Sequence, residues 1–309
     1  MDDADARVVV GLTPRAEHHG AKAQRADVHA GARERPMIHA PDVTDEASWG
    51  GRTEFLGTTR PDAAVMIQAR MATGSVTSLQ RWPVKSMAGE SVGALCLDPL
   101  GAVGDRSHAL FDVFKGAPRR INAETVPRLL AWSAAYPGVD NDALERATLP
   151  QPTVTAPDGA VRRWDDPALP AALADDLGRE VTLVCEPRGQ QDRPATLHVT
   201  VGASLRAVAD ALGEAVDARR FRSNLHLELD AEPYAEETWL GRRLRVGQAE
   251  LEIVDCCRRC AIPTRDPDTQ RKWPALLRWL AAERATTFGV IVRATAPAVV
   301  RHGDGVTLL

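Results

Sequence analysis

Ala249-Glu250-Leu251-Glu252-Ile253-Val254 reads as a strand, and it runs without a break into Asp255-Cys256-Cys257-Arg258-Arg259-Cys260-Ala261-Ile262-Pro263-Thr264. A strand that ends in a loop is the usual place for a functional side chain held by a rigid scaffold. Three of the chain's five cysteines crowd into this stretch while Cys96 and Cys185 stand far apart, which is unlike a disulfide framework. Two arginines precede Cys260, and nearby cations favour the thiolate, the form that binds soft metals or carries sulfur. Free cysteines also serve as small buried hydrophobes. Cys257 and Cys260 together have half the spacing of a zinc knuckle or of a thioredoxin-like pair. No second ligand pair completes a zinc site, since His226 and His302 are single and distant, and Pro263 and the Asp266-Pro267-Asp268 turn follow where a thioredoxin-like motif would open a helix.

Outward from this cluster the chain alternates short apolar runs with Gly, Pro and Asp, the texture of a β-rich domain with tight turns. Strands are expected over residues 76–82, 91–97, 225–229, 243–246, 249–254 and 288–293. Another is expected over 298–309, broken by Gly303-Asp304-Gly305. Residues 154–164, with Pro157-Asp158-Gly159 in the middle, read as a hairpin, and 122–132 as a short helix or turn. Leu205, Val208, Leu212 and Val216 recur at spacings of three and four behind Ser204, which sits where an N-cap belongs, so a helix is expected there with its apolar face on a sheet. A second helix is expected over 273–283, entered through Pro274. Two helices among many short strands argue for a β-barrel with helical inserts.

Composition fits a soluble globular protein: of 309 residues, 44 % are hydrophobic and 26 % charged. The formal net charge of −4 gives no global attraction to nucleic acid or to an anionic membrane. No stretch approaches the roughly 20 apolar residues of a bilayer span. The opening Met1-Asp2-Asp3-Ala4-Asp5 lacks a signal peptide's positive charge, and the expected location is cytoplasmic. Residues 1–75 have too little apolar surface to offset the entropy of ordering, and are expected to be a disordered tail or to precede a true start at Met66 or Met71. His18, His19, His29 and His39 fall in this segment without regular ligand spacing.

Several segments line up in order with one family. Val76-Thr77-Ser78-Leu79-Gln80-Arg81-Trp82-Pro83-Val84-Lys85-Ser86, Gly104-Asp105-Arg106, Phe221-Arg222-Ser223-Asn224 behind Arg220, and Tyr234-Ala235-Glu236-Glu237-Thr238-Trp239 form the first part of the set. Arg259-Cys260 with Thr264, Asp266, Pro267 and Asp268 follows, then Phe288-Gly289-Val290 and Gly303-Asp304-Gly305-Val306. Over residues 76–309 the chain resembles the MOSC proteins that carry an N-terminal β-barrel partner domain, the group that includes the mitochondrial amidoxime-reducing component and its bacterial relatives. The resemblance implies an N-terminal MOSC β-barrel domain over 76–190 and a MOSC β-barrel domain over 191–309. It also implies a molybdenum cofactor, molybdopterin, with Cys260 as the protein thiolate on molybdenum. Lys85, Ser86, Arg106, Ser204, Arg222 and Asn224 match positions that hold the pterin and its phosphate.

Such residues suit that anion, because Arg forks, a Lys and hydroxyls make charge-assisted hydrogen bonds to phosphate. Taken singly, Lys85 and Arg106 are equally readable as solvated charges, Ser204 as a helix cap and Arg222 as an ion pair. The chain departs from the family at Arg119-Arg120-Ile121-Asn122-Ala123-Glu124, at Gln270, where a Gly often ends the turn, and at His302. The implied activity is reduction of N-hydroxylated or N-oxygenated small molecules. No flavin, nicotinamide or iron–sulfur motif is visible, so the electrons are expected from a separate flavin or iron–sulfur reductase. The same fold also serves a sulfur carrier holding a persulfide on Cys260.

Overall fold

The apolar runs of the second half become the staves of one closed barrel. Its seven strands are β1 (Thr73–Arg81), β2 (Leu197–Val201), β3 (Leu225–Leu229), β4 (Arg243–Val246), β5 (Ala249–Arg258), β6 (Thr287–Ala294) and β7 (Gly305–Leu308). They follow one another around the wall as β3-β2-β6-β5-β4-β7-β1, and β1 pairs with β3 to close it. The computed structural model describes residues 72–189 and 194–309, together with the backbone of the two-residue strand Val8–Val9.

Alternation decides which face is inside. Leu225, Leu227 and Leu229 of β3 are buried while His226 and Glu228 between them are half-exposed, and Leu244 and Val246 of β4 are buried beside exposed Arg243 and Arg245. Val76, Leu79, Val199, Leu251 and Val292 meet the same interior cluster. Burying each such side chain stabilises by about 1.5–3 kcal/mol. β2 and β3 form the one parallel pair of the barrel, and parallel neighbours need a crossover. α2 (Gly202–Leu212) supplies it. Val208 of this helix packs with Phe221, Phe288 and with Leu276 and Leu280 of α3 (Pro274–Arg284).

The segment between β1 and β2 forms two small sheets outside the barrel and gives Ala94–Asp98 and Gly101–Ala102 to a third, which Ala298–Arg301 completes. One sets His108–Phe114 between Ala117–Arg120 and Thr182–Cys185, the latter also pairing with Val8–Val9. The other is Ser133–Ala135, Thr153–Thr155 and Val161–Arg163. Leu110, Leu129, Trp132, Val154, Leu169 and Leu173 share their core, the last two from α1 (Leu169–Leu177), which Gly178 ends in a left-handed conformation at φ 66°.

The fold class is the expected one, β-rich with three α-helices, and the hairpin and both expected helices are present. Several details differ. β1 begins at Thr73 rather than residue 76, and β5 runs on through the first two cysteines of its cluster to Arg258. The strand expected over 91–97 is interrupted, with Glu90–Ser91 on β1 and Ala94–Asp98 paired instead with Ala298–Arg301. β1, from the expected N-terminal domain, lies between β3 and β7 in the barrel wall. Within the segment expected to be a tail, Val8–Val9 pairs with Thr182–Cys185 and β1 begins at Thr73. The four tail histidines lie outside the described residues.

Ser204 also departs from its expected role. It does not cap α2, whose N-cap is Val201 with no side-chain bond. Its hydroxyl is fully buried, donates to Glu236 Oε2 at 2.8 Å and accepts the Tyr234 N–H at 2.8 Å. The sequence pattern placed a hydroxyl near the helix start correctly, but the helix begins two residues earlier and the hydroxyl ties α2 to the 3₁₀ turn Ala235–Thr238.

Two outcomes follow from this packing. A Cβ on Gly74 would collide with the carbonyl oxygen of Glu228 in the β1–β3 seam, so Gly74→Ala should destabilise by about 1–3 kcal/mol, seen as a lowered thermal midpoint. Burial pushes the Glu236 carboxyl up to about 7, against the opposing Ser204 hydrogen bond, and its Oε1 has no hydrogen-bond partner. A carboxyl whose folded pKa lies above its unfolded value of 4.5 binds its proton more tightly when folded. Stability therefore falls as pH rises from 4.5 to about 7, by on the order of 3 kcal/mol. Urea denaturation across this range should show that fall, and Glu236→Gln should flatten it.

Candidate functional site

At the end of the β1–β3 seam both strands give way to tight turns, and the turns frame a cavity of about 330 Å3. Lys85, Ser86, Arg106, Arg222, Asn224 and Cys260 all line it. Three of these six hold left-handed backbone, Ser86 at φ 73°, Arg106 at 48° and Arg222 at 53°. Non-glycine residues in that region cost of order 1–3 kcal/mol each and gather at functional sites.

Each turn is fixed by named bonds. Arg106 N–H donates to Trp82 O at 2.6 Å, and Asp105 Oδ1 accepts the Trp82 N–H at 2.9 Å. Asp105 also pairs with the Arg106 guanidinium, which reaches across to Arg222 O at 3.0 Å. Arg222 in turn lies over the Trp82 ring at 4.1 Å. Burial and the like charge of Arg106 push the Arg222 guanidinium down to about 9, and its Nη2 is buried without a partner. Ser86 Oγ accepts the Ala123 N–H at 3.0 Å. Asn224 is occupied on the scaffold side: its Oδ1 accepts the His198 N–H at 3.1 Å and its Nδ2 donates to Gln80 O at 3.3 Å, which stitches β1 to β2 across β3. One Nδ2 hydrogen remains for the cavity.

The cysteines separate here. Adjacent residues on a strand point to opposite faces, and Cys256 Sγ lies 3.6 Å from Glu237 O while Cys257 Sγ accepts from Arg259 Nη1 at 2.9 Å. Burial pushes the Cys257 thiol up, but His198 and Arg259 beside it outweigh that and hold it down at about 6. Cys260 behaves otherwise. Burial raises its pKa, and Arg259 opposes this only weakly. The expected cation effect therefore falls on Cys257 rather than on Cys260, because the Arg259 side chain folds back along the strand. All five cysteines are free, and among the described residues no three of His, Cys, Asp and Glu gather as metal ligands.

His198 was not singled out by sequence. Its buried ring sits between the carbonyl oxygens of Phe221 at 3.1 Å and Phe288 at 3.2 Å. Gly289, at φ 73°, makes room for it, since a Cβ there would lie 2.8 Å from His198 Nε2. Thr196 and exposed Arg258 complete the polar wall. Ser204 lies outside the cavity lining. Arg119, one of two arginines left open by sequence, pairs with Asp112 on an exposed hairpin, and neither it nor Arg120 lines the cavity. Gln270 holds φ 60°, the conformation that favours glycine at this place. Arg220 is buried and bonds Asp266 at 2.9 Å, locking the turn that follows Cys260.

Residues 73–162 match the family described as the MOSC N-terminal beta barrel domain, and residues 188–307 match the MOSC domain. A segment of 79 residues is 39 % identical to the molybdenum cofactor sulfurase of Caenorhabditis elegans, covering 25 % of this chain and 11 % of that protein. Over 77 residues the chain is also 39 % identical to the Caenorhabditis briggsae molybdenum cofactor sulfurase, covering 24 % and 10 %. The match thus spans about a tenth of these relatives' length. Among solved structures, the YuaD protein from Bacillus subtilis superposes with a TM-score of 0.40 at 12 % identity, over 77 % of this chain and 97 % of that one. YiiM from Geobacillus stearothermophilus gives 0.30 at 16 %, over 37 % and 53 %. With both of its barrel segments matched in order and the cavity lying where they meet, the chain is a MOSC-domain protein with a MOSC N-terminal β-barrel domain ahead of its MOSC domain.

Proposed function

We propose that the cavity holds a molybdenum cofactor and that the protein reduces N-hydroxylated or N-oxygenated small molecules. The observation that carries the cofactor is the wall itself. Lys85, Arg106, Arg222 and Arg258 converge on one space, and the Arg222 guanidinium is held low with an orphaned Nη2. A buried cation with unused donors is stabilised by an anion, and a pterin phosphate is one that Arg forks and a Lys bind well. A thiol on the same wall, Cys260, offers the soft ligand that molybdenum takes. A bound metal deprotonates a coordinating thiol outright, which overrides the burial that otherwise keeps Cys260 protonated.

In this reading Lys85, Arg106 and Arg222 bind and orient the phosphate end, and Ser86 and the free Nδ2 hydrogen of Asn224 add neutral hydrogen bonds. Cys260 holds the metal end. The bound cofactor supplies a two-electron centre that removes oxygen from an N–O group. Electrons come from a separate reductase, a flavin or iron–sulfur protein, and the reading places the protein in the cytoplasm. Among the described residues no helix is long and apolar enough to cross a membrane.

A second reading draws on the curated relatives, which are named molybdenum cofactor sulfurases. In it, Cys260 carries a persulfide for delivery to a cofactor or metal cluster. Metal and pterin analysis of protein made in a cofactor-competent host separates the two. Stoichiometric molybdenum and pterin select the first, and their absence with a persulfide on Cys260 selects the second.

Cys260→Ser should abolish N-reductive activity and weaken molybdenum retention, because a hydroxyl is a poor substitute for a soft thiolate. Arg222→Ala should leave the fold intact and lower cofactor occupancy, the lost contact being worth about 1.5–3 kcal/mol. Metal analysis and cofactor titration check both. Full occupancy in the Arg222 variant would assign that arginine to the scaffold.

A further inference from the structure

Cys257 is left without a role by the reading above, yet it is the most activated thiol of the chain. Arg259 Nη1 donates to its sulfur at 2.9 Å, and the same nitrogen lies 3.5 Å from His198 Nε2. The guanidinium is held rigidly, its Nη2 donating to Phe221 O at 2.8 Å and its plane facing the Phe221 ring at 5.5 Å. Behind it, the His198 ring meets a carbonyl oxygen at each nitrogen. A fixed guanidinium and the His198 imidazole thus converge on one sulfur, and that sulfur opens on a cavity walled by Lys85, Arg106 and Arg222.

We propose that Cys257 is the nucleophile of this cavity, attacking the sulfur–sulfur bond of a small anionic persulfide or disulfide and holding the transferred sulfur covalently. The Cys257 thiolate supplies the electron pair of the new S–S bond. The donor's S–S bond breaks, and its pair leaves on the departing thiolate. A persulfide donor leaves Cys257 as a persulfide, and a disulfide donor leaves it as a mixed disulfide. The donor is itself the oxidant, so no further redox partner is required. An anionic donor is favoured because the wall is cationic, and the leaving thiolate is received by the same charges. This activity goes beyond cofactor binding: its chemistry rests on Cys257, Arg259 and His198, which the cofactor reading does not use, while its anionic donor shares with that reading the cationic wall of Lys85, Arg106 and Arg222.

The remaining cysteines do not compete. Burial pushes Cys96, Cys185, Cys256 and Cys260 up, whereas Cys257 is held at about 6. At pH 6 the thiolate fraction of such a group exceeds that of a thiol at 9 by about 500-fold. Its lower basicity gives back about 20-fold at a Brønsted slope near 0.45, which leaves an advantage of about twentyfold.

The test uses the full-length protein as purified, treated at pH 6 with glutathione persulfide in one arm and oxidised glutathione in the other, followed by peptide mass mapping. The expected adduct lies on Cys257, one added sulfur atom in the first arm and one glutathionyl group in the second. The faster arm identifies the class of donor. Cys257→Ser should lose the adduct while Cys260→Ser keeps it. The rate should reach half its maximum near pH 6, and Arg259→Gln should move that midpoint upward with circular dichroism unchanged. Adducts mapping first to Cys260 or Cys256, no adduct in either arm, or a midpoint in the ordinary thiol range would overturn the proposal. Loss of molybdenum from the protein leaves it untouched, so the two readings fail separately.

Discussion

The Asn224 amide joins three strands at the point where the barrel opens into the cavity. Its Oδ1 takes the His198 N–H of β2 and its Nδ2 reaches Gln80 O of β1, while its own backbone N–H donates to His198 O at 2.8 Å and Gln80 N–H donates back to its carbonyl at 2.9 Å. β2 carries His198 on this clamp, β1 leads directly into Trp82 and Lys85, and the turn before β3 carries Phe221 and Arg222. Positions from residue 80 to residue 224 are therefore brought into one register by a single buried side chain. An apolar replacement would leave a buried N–H and a buried carbonyl unpaired, each at a cost of about 1–3 kcal/mol.

What the clamp holds together is electrostatically unfavourable by itself. Arg106 and Arg222 touch through a backbone carbonyl, and the like charge of the first helps depress the second. Asp105 pairs with Arg106, Arg220 pairs with Asp266, and Arg219 with Asp217 and Asp268. The carboxylates thus compensate the arginines behind the wall and leave the Arg222 donor at the wall unmet. A scaffold selected for stability alone would place an acid there. The arrangement makes sense when the missing charge belongs to a ligand, which is the physical content of the cofactor reading.

Much of this was legible in sequence because it is local. Period-two burial exposes β3, β4 and β6, a Pro-Asp-Gly turn marks the hairpin, and Pro274 marks the start of α3. The matched motifs also located Lys85, Arg106, Arg222 and Cys260 on one wall. The parts that were missed depend on partners distant in sequence. Ser204 has the spacing of a cap, and only the approach of Glu236, 32 residues away, turns it into a tie between elements. Asn224 reads only as a ligand until Gln80, 144 residues away, shows that its amide also clamps the strands. β1 belongs to the far barrel because β3 and β7 flank it, a pairing that no local pattern records. The two arginines before Cys260 suggested a thiolate there, but a side chain's charge acts where its rotamer carries it, and Arg259 is carried back to Cys257.

The division of labour between the two cysteines follows from where β5 stops pairing. Its register against β6 shifts between Ile253 and Asp255 and again between Cys256 and Arg258, and such irregularities re-aim side chains next to active sites. Cys257 stands in the second of these irregularities, pressed against His198 and Arg259. Cys260 stands three residues on, past the end of the strand, beside the 3₁₀ turn Ile262–Thr264 that Arg220 anchors through Pro263 O and Asp266. A fixed thiolate with a fixed counter-charge is suited to attack a molecule that comes to it. In the cofactor reading, the Cys260 thiol on its braced turn would become a ligand only when a metal takes the place of its proton. One strand end, interrupted twice, therefore brings to one cavity a thiol held low by its neighbours and another pushed up by burial.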